Sequence, residues 1–274
     1  MARRKLKTFD DYSRALKDKY GIGELSTYKP WLRVQDVKSK GIRSQVLGLK
    51  TGRVHHTLSS IETEFFYLAE YSDSVIDIRE QFPLLPINLS IKIAEALGIV
   101  HPAHPETKVP IVITTDFLLT RFIDGKKIYE AISVKPEHDV SNRRVLEKLE
   151  LERVWWELLS VKFSYFIGNE LTQIQSSNIN WATHPLRSEK QIFTEDELSI
   201  AASFLSLGKH LIREICYLFI DKLKLQHEAS LTMLRSLIGR KKITVDLSFP
   251  LENSDFIEIL SIDINTEDLF SGAC

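Results

Sequence analysis

Residues 109–136, VPIVITTDFLLTRFIDGKKIYEAISVKP, decide the fold of this chain. Two segments rich in Ile, Val, Phe and Thr surround Asp124-Gly125, and Asp-Gly between two such segments is a strong short-range signal for a β-hairpin. We therefore predict two antiparallel strands joined by a two-residue turn. That turn sets the register, which places Asp116 opposite Ser133 and Thr114 opposite Lys135.

The same register divides the hairpin into a polar and an apolar face, because successive side chains on a strand point to opposite sides. Asp116, Ser133 and Lys135 share one face. The other face carries four apolar residues: Phe117, Leu119, Ile132 and Val134. A slip by one residue would move this apolar set to the wrong side, so the pattern itself supports the register.

Patterns of helix and strand alternate on both sides of the hairpin. Apolar residues at helical spacing predict helices, and short apolar runs predict strands. The predicted helices cover residues 9–20, 60–71, 88–99 and 141–161, and the further strands cover 32–37, 44–49, 53–58, 75–83 and 163–168. Helices between strands indicate an α/β domain with a mixed sheet, spanning residues 1–170.

Residues 171–274 have a different pattern. Residues 194–223 are typical of helix, interrupted near Gly208, and a further helix is predicted over 228–243. Two short strand patterns follow, 244–250 and 256–262, and could form a hairpin. Helices followed by a hairpin indicate a mainly helical, winged-helix-like domain that binds a partner or DNA.

Composition places the chain among folded globular proteins, with 43% hydrophobic and 27% charged residues in 274. It has no run of about 18 apolar residues, so we expect no membrane association. The first residues lack the apolar stretch of a signal peptide. The two cysteines, Cys216 and Cys274, form neither a disulfide framework nor a cysteine-based zinc site. We expect a cytoplasmic protein, associated with the nucleoid.

Charge is unevenly distributed although the formal net charge is only −1. Residues 1–53 contain fourteen Lys and Arg against five Asp and Glu, whereas residues 250–274 contain six acidic residues and no Lys or Arg. This split suggests one surface for an anionic polymer and another for a basic partner. The alternative is that both are ordinary solvated surfaces.

The polar face of the hairpin suggests phosphodiester hydrolysis. Carboxylate oxygens are the ligands that Mg²⁺ prefers, and a bound cation polarises a phosphoryl oxygen and acidifies a water. A lysine beside it can orient the nucleophile or offset charge on the phosphate. The alternative is a surface ion pair between Asp116 and Lys135 without catalytic meaning.

Several longer segments resemble one family. They are PWLRVQDV (30–37), KTGRVHHTLSSIETEFF (50–66), DIREQFPLLP (77–86), ITTDFL (113–118), SVKP (133–136) and LEKLELERVWW (146–156). In this order they resemble the TnsA endonuclease subunits of heteromeric bacterial transposases, including CRISPR-associated ones. The resemblance is dense over residues 28–156 and faint in the C-terminal hundred.

The resemblance implies a restriction-endonuclease-like N-terminal domain that uses Mg²⁺, with Mn²⁺ as a substitute. Glu62, Asp116 and Lys135 would be catalytic, and Glu62 and Asp116 would also bind the metal with the backbone carbonyl of Val134. Ser133 stands where Gln or Glu is usual in such sites, so it would bind metal only weakly or through water. Glu152 would lie just behind the metal ligands.

Other interpretations of these residues stay open. Ser59 and Glu62 fit a helix capping box, which would explain Glu62 without a metal. Glu64 is the rival carboxylate, although it should point away from Glu62 on a helix. Glu150 and Glu152 could both lie on a solvated helix surface and pair with cations at helical spacing.

Four basic side chains near the site in chain order are candidates for DNA contact: Arg53, His55, His56 and Arg79. The two histidines are adjacent on a strand, so they point to opposite faces and cannot easily bind one ion. Plain packing is the other interpretation of the pair.

By resemblance, the chain would cut the 5′ strand at transposon ends while a TnsB-type transposase cuts and joins the 3′ strand. A TnsC-type AAA+ ATPase would be a further partner. A different hypothesis is a non-catalytic adaptor that links transposon DNA, transposase and regulator, with Ser133 as the sign of a decayed site. A stand-alone nuclease of repair or defence is the third.

Overall fold

The computed structural model describes residues 4–37, 41–139, 141–188 and 193–263. The chain divides into two compact units, Met1–Asn169 and Glu170–Cys274, called here the N-terminal and C-terminal units. Cys274 and the end of the acidic stretch, residues 264–274, lie outside the described residues. No described helix is long and apolar enough to cross a membrane.

A four-stranded mixed sheet forms the centre of the N-terminal unit, in the order β3-β4-β5-β6. Its strands are β3 (Val75–Pro83), β4 (Thr114–Ile123), β5 (Lys126–Val134) and β6 (Lys162–Phe166). Strand β4 runs antiparallel to both of its neighbours, β3 and β5, and β6 runs parallel to β5. The predicted α/β class with a mixed sheet is confirmed.

The central hairpin has the predicted register, with Phe117 opposite Ile132 and Ile123 opposite Lys126. Asp124 and Gly125 both have positive φ, 50° and 74°. This is the conformation of a two-residue turn that matches the twist of the flanking strands.

Helices cover both faces of the sheet. Helix α2 (Ser60–Tyr71) packs on one face through Phe65 and Phe66, against the apolar hairpin residues predicted above. Helices α3 (Ile87–Ala96) and α4 (Arg143–Leu158) cover the other face. Because α4 connects the parallel strands β5 and β6, it supplies the crossover that such a pair requires.

Before α2, the described residues include α1 (Phe9–Lys17) and a separate hairpin of β1 (Ser44–Leu47) and β2 (Val54–Thr57). The strand predicted over 32–37 is wrong. Asp36 accepts hydrogen bonds from the backbone and side chain of Arg33 and from Arg4, which closes a turn there. This local pairing outweighs the weak alternation of apolar residues.

The C-terminal unit has the element order of a winged helix. Its helices are α5 (Glu170–Thr183), α6 (Glu195–Ser203), α7 (Ile212–Leu223) and α8 (His227–Gly239), and its strands are β7 (Gly208–Leu211), β8 (Ile243–Val245) and β9 (Phe256–Ile262). The strands form one antiparallel sheet, β7-β9-β8. The predicted hairpin is therefore present, whereas the interruption near Gly208 is a strand, and α5 was not predicted.

Candidate active site

Three side chains of the hairpin meet where β4 begins and β5 ends. The carboxylate oxygen Oδ2 of Asp116 accepts hydrogen bonds from Lys135 Nζ at 2.8 Å and from Ser133 Oγ at 3.3 Å. The backbone N–H of Val134 donates to the same oxygen at 2.7 Å. Lys135 Nζ also donates to the Val134 carbonyl at 2.8 Å. The predicted polar side chains thus form one connected group, held where the paired inner strands β4 and β5 begin and end.

Glu62 reaches this group from the first turn of α2. Ser59 caps the helix and accepts from the Glu62 N–H at 3.2 Å, as predicted. The Glu62 carboxylate does not complete a capping box. It accepts instead from the Leu58 N–H and the Ser59 hydroxyl, both at 2.9 Å. These two bonds hold a buried carboxylate at the helix start, facing Asp116.

Glu152 approaches from α4 and is buried, so the solvated-surface interpretation is wrong for this residue. Its Oε2 accepts from the Thr115 hydroxyl at 3.1 Å, and that hydroxyl accepts in turn from the Trp156 indole at 2.7 Å. Two neighbouring acidic residues behave differently. Glu150 pairs with Arg153 on the helix surface at 2.7 Å, as expected. Glu64 points toward Gly168, where an added Cβ would lie 2.8 Å from its Oε1.

Burial, together with neighbouring negative charge, perturbs the carboxyl groups of the site. Burial and the charge of Asp116 raise the pKa of Glu62 to about 7 and that of Glu152 to about 8. Burial alone would lower the pKa of Lys135, but the charges of Asp116 and Glu152 outweigh it and raise that pKa. Lys135 is therefore a cation at neutral pH, and the carboxyl groups around it outnumber it.

This donor set fits a hard divalent cation. In the described part of the chain, no three His, Cys, Asp or Glu side chains converge as a metal-binding group. Mg²⁺, however, is commonly held by one or two carboxylates with water. Glu62, Asp116 and the Val134 carbonyl supply two carboxylates and a backbone oxygen. Burial and the neighbouring charge of Asp116 both disfavour ionisation of Glu62, and a bound cation would offset both effects.

Sequence reasoning missed two residues of the site. Gln81, at the end of β3, contacts both Glu62 and Asp116 through its side-chain amide. Lys148 lines the cleft beside Glu152, and its charge lowers the pKa of that carboxyl. Gln81 is part of the quoted DIREQFPLLP segment, and Lys148 lies one helical turn before Glu152. These positions in the sequence are the signals from which the two site residues could be found.

Arg53 and His55 do not face solvent, contrary to the prediction that they contact DNA. His55 is fully buried and Arg53 is 9% exposed. Both bind the carboxylate of Glu80, Arg53 through two bonds of 2.6 and 2.8 Å and His55 Nδ1 at 2.8 Å. The donors that would bind phosphate already bind Glu80. Because this carboxylate is fully buried, it requires such partners within the fold.

Arg79 is also buried, at 7% exposure, which argues against the DNA contact predicted for it. Its guanidinium donates to Thr120 at 3.2 Å and lies 3.5 Å from Asp77. His56 is half-buried, and burial lowers its pKa. A DNA contact by His56 stays a prediction.

Comparison with known proteins shows similarity to one family over part of the chain. Residues 72–168 match the family described as TnsA-like endonuclease N terminal. That region is therefore similar to the N-terminal part of TnsA-like endonucleases. The transposon Tn7 transposition protein TnsA of Escherichia coli is 42% identical over 169 residues, which are 62% of this chain and 60% of that protein. The matched part thus spans about three fifths of the relative. The matched region contains Asp116, Lys135 and Glu152, whereas Glu62 precedes it.

Proposed function

We propose that this chain is the DNA endonuclease subunit of a heteromeric transposase. It cuts the 5′ strands at transposon ends in the cytoplasm, while a TnsB-type transposase cuts and joins the 3′ strands. The observation that carries the proposal is the group of Glu62, Asp116, Lys135 and Glu152 gathered where β4 begins and β5 ends, the last three within the region similar to TnsA-like endonucleases.

The proposed cofactor is Mg²⁺, with Mn²⁺ as a substitute, held by Glu62, Asp116 and the Val134 carbonyl. When bound, it would polarise the scissile phosphate and acidify the attacking water. Asp116 is suited to this task because three donors fix its Oδ2, whereas the one hydrogen bond to Oδ1 from the described residues is a long contact of 3.5 Å from Gln81. The second oxygen is thereby presented to the cation.

Lys135 acts as a donor and not as a base. Its raised pKa keeps the ammonium protonated at neutral pH, so it cannot remove a proton from water. Its charge and hydrogen bonds can instead orient the attacking water or stabilise the negative charge that develops on the phosphoryl oxygens. The Asp116 carboxylate, at 2.8 Å, holds Nζ in position for this role.

The substrate site is a cleft of about 950 Å³ above these groups. Glu62, Lys135 and Glu152 line it, and Lys148 and His138 are exposed within it. A divalent cation and Lys148 would together offset the phosphates of a DNA strand lying in the cleft. Binding by such contacts should weaken as salt is raised.

We further propose that the C-terminal unit serves partner contacts, with the transposase and a TnsC-type AAA+ ATPase as the partners. In a winged helix of this order, α8 occupies the position of the helix that usually reads DNA. Here Met233, Leu234 and Leu237 of α8 are buried in a core shared with Ala182 of α5. The Arg235 guanidinium donates to the Trp181 carbonyl at 2.7 Å. These contacts favour a protein-binding role over base recognition.

Strand-resolved cleavage tests the proposal. A duplex with a transposon end is incubated with Mg²⁺, the transposase, the ATPase and either wild-type chain or Asp116→Ala. We expect the variant to lose the 5′ cut while the 3′ cut persists. Asp10→Ala, an exposed position on α1, is the matched control and should cut normally. Joined 3′ ends without any 5′ cut by wild-type chain would overturn the endonuclease and favour the adaptor.

A further inference from the structure

Gln81 is a buried amide placed between the two carboxylates of the site. It is 2% exposed. Its Nε2 lies 3.3 Å from Glu62 Oε2 and 3.5 Å from Asp116 Oδ1. On its other side, Oε1 accepts from the Thr114 hydroxyl at 2.9 Å. The two carboxylates require the NH₂ group on their side, so the surroundings decide the orientation of the amide.

The backbone at Gln81 is unusual for a strand. Its φ is +49°, a left-handed conformation that is uncommon for residues other than glycine. Such a conformation persists only when the surrounding structure holds it, and it is concentrated at functional sites. In a regular strand, the side chain of Gln81 would take a different direction. The left-handed backbone at Gln81 therefore helps to direct its amide toward the two carboxylates.

The N-terminal segment holds this conformation in place. The Trp31 N–H donates to the Gln81 carbonyl at 3.3 Å, and the Tyr28 hydroxyl donates to the Glu80 carbonyl at 3.0 Å. The side chain of Glu80 is fixed by Arg53 and by His55. Gln81 thus extends toward the site from a rigid, buried support.

Other polar groups near Asp116 do not duplicate the bridge. The Ser133 hydroxyl and the Lys135 ammonium both contact Asp116 Oδ2. Glu62 receives its closer bonds from Leu58 and Ser59, at the start of its own helix. Among the hydrogen bonds described here, those of Gln81 are the ones that reach both carboxylates. Two carboxylates repel one another, and a neutral donor between them opposes that repulsion without adding charge.

We propose that Gln81 is a positioning residue, whose amide sets the separation of Glu62 and Asp116 and thereby the affinity of the site for a divalent cation. This inference rests on the proposed function, since it assumes that these carboxylates bind the cation. Preorganised ligands bind more tightly because less ordering is needed on binding.

The test measures Mn²⁺ binding by electron paramagnetic resonance and by the Mn²⁺-induced rise in Tm, so it does not depend on cleavage. Gln81→Met keeps the size and flexibility of the side chain and removes the amide. We expect its Mn²⁺ dissociation constant to increase about tenfold or more over wild type. Asn178→Met removes another buried amide, which binds three backbone groups in the C-terminal unit. It should lower Tm and leave Mn²⁺ affinity unchanged.

Gln81→Glu provides a second, independent measurement, which decides the question should Gln81→Met fail to fold. A third carboxylate beside Glu62 and Asp116 should lower Tm without cation and make the Mn²⁺-induced rise in Tm larger than in wild type. Equal Mn²⁺ affinity in wild type and Gln81→Met, or an unchanged rise in Gln81→Glu, would overturn the role of Gln81 alone. Absence of Mn²⁺ binding in wild type would instead overturn the proposed cation site, and this inference with it.

Discussion

Replacement of Arg53 by methionine tests whether this residue supports the fold or contacts DNA. Its guanidinium makes five hydrogen bonds, two to Glu80 and three to the carbonyls of Leu25, Val54 and Ile78. Arg53→Met keeps most of the aliphatic volume and removes every one of these bonds. Glu80, which is fully buried, would then retain His55 and the His56 N–H as donors.

The expected loss is large because the pair is buried. Burial would raise the pKa of Glu80, but His55 and Arg53 outweigh it and hold that pKa far below its usual range. Removing one partner of a buried ion pair costs about 3–5 kcal/mol. With an m value of about 2 kcal/mol per M of urea, the unfolding midpoint should fall by about 1.5–2.5 M.

The assay is urea unfolding followed by tryptophan fluorescence, since three of the four tryptophans (Trp31, Trp155 and Trp156) lie in the N-terminal unit. Arg153→Met is the matched control. Arg153 also binds two carboxylates, but on the surface of α4. The urea unfolding midpoint of this variant should therefore stay near that of wild type. Equal shifts for the two variants would refute the reasoning. A reduced salt dependence of DNA binding by Arg53→Met with unchanged stability would restore the DNA-contact interpretation.

Three further outcomes are expected at the site. Glu62→Gln should lower 5′ cleavage at least about a hundredfold because a proposed metal ligand and its charge are lost. Glu64→Gln should cut normally in the same assay, since the Glu64 side chain points toward Gly168. Ser133→Ala should reduce cleavage less than about tenfold, since Asp116 Oδ2 keeps its bonds from Val134 and Lys135; a complete loss would indicate that the hydroxyl binds the metal. The third outcome concerns calorimetry without divalent cations, because folding raises the pKa of Glu62 from about 4.5 in the unfolded chain to about 7. The contribution of this carboxyl to stability is fully present below the lower pKa and is lost as pH rises through the higher one. Tm should therefore fall from pH 5 to 8, and Mg²⁺ should raise Tm more at pH 8 than at pH 5. A Tm that does not change with pH would contradict the burial of the Glu62 carboxyl.

The elements predicted best are those decided by neighbours in the sequence. The turn at Asp124-Gly125 needs two residues with positive φ, and the alternation along both strands then sets the register. Helix α2 begins after Ser59 and covers residues 60–71 as predicted, because the cap and the apolar spacing are both local.

Burial of charged groups was harder to predict. The basic stretch around Arg53 looks like a solvent-exposed surface, and its burial depends on Glu80, 27 residues later. Apart from its place in the DIREQFPLLP segment, Gln81 has no local feature that marks it. Its bonds depend on Asp116, 35 residues away, and on Glu62 of a separate helix. Helix α5 was missed for a related reason, since Trp181 and Ala182 are apolar positions whose packing against α8 is non-local.

The sequence by itself determined the hairpin, its register, the position of the capped helix and the family resemblance. From these, Asp116, Ser133 and Lys135 could be placed on one face, because strand geometry has a period of two residues. The tertiary structure decided which other charges are buried and what they bind. Glu62, Gln81 and Glu152 come from three separate elements, and their proximity depends on long-range packing that no local period encodes. That packing removes water from the carboxyl groups, and removal of water raises the pKa of Glu62 and Glu152.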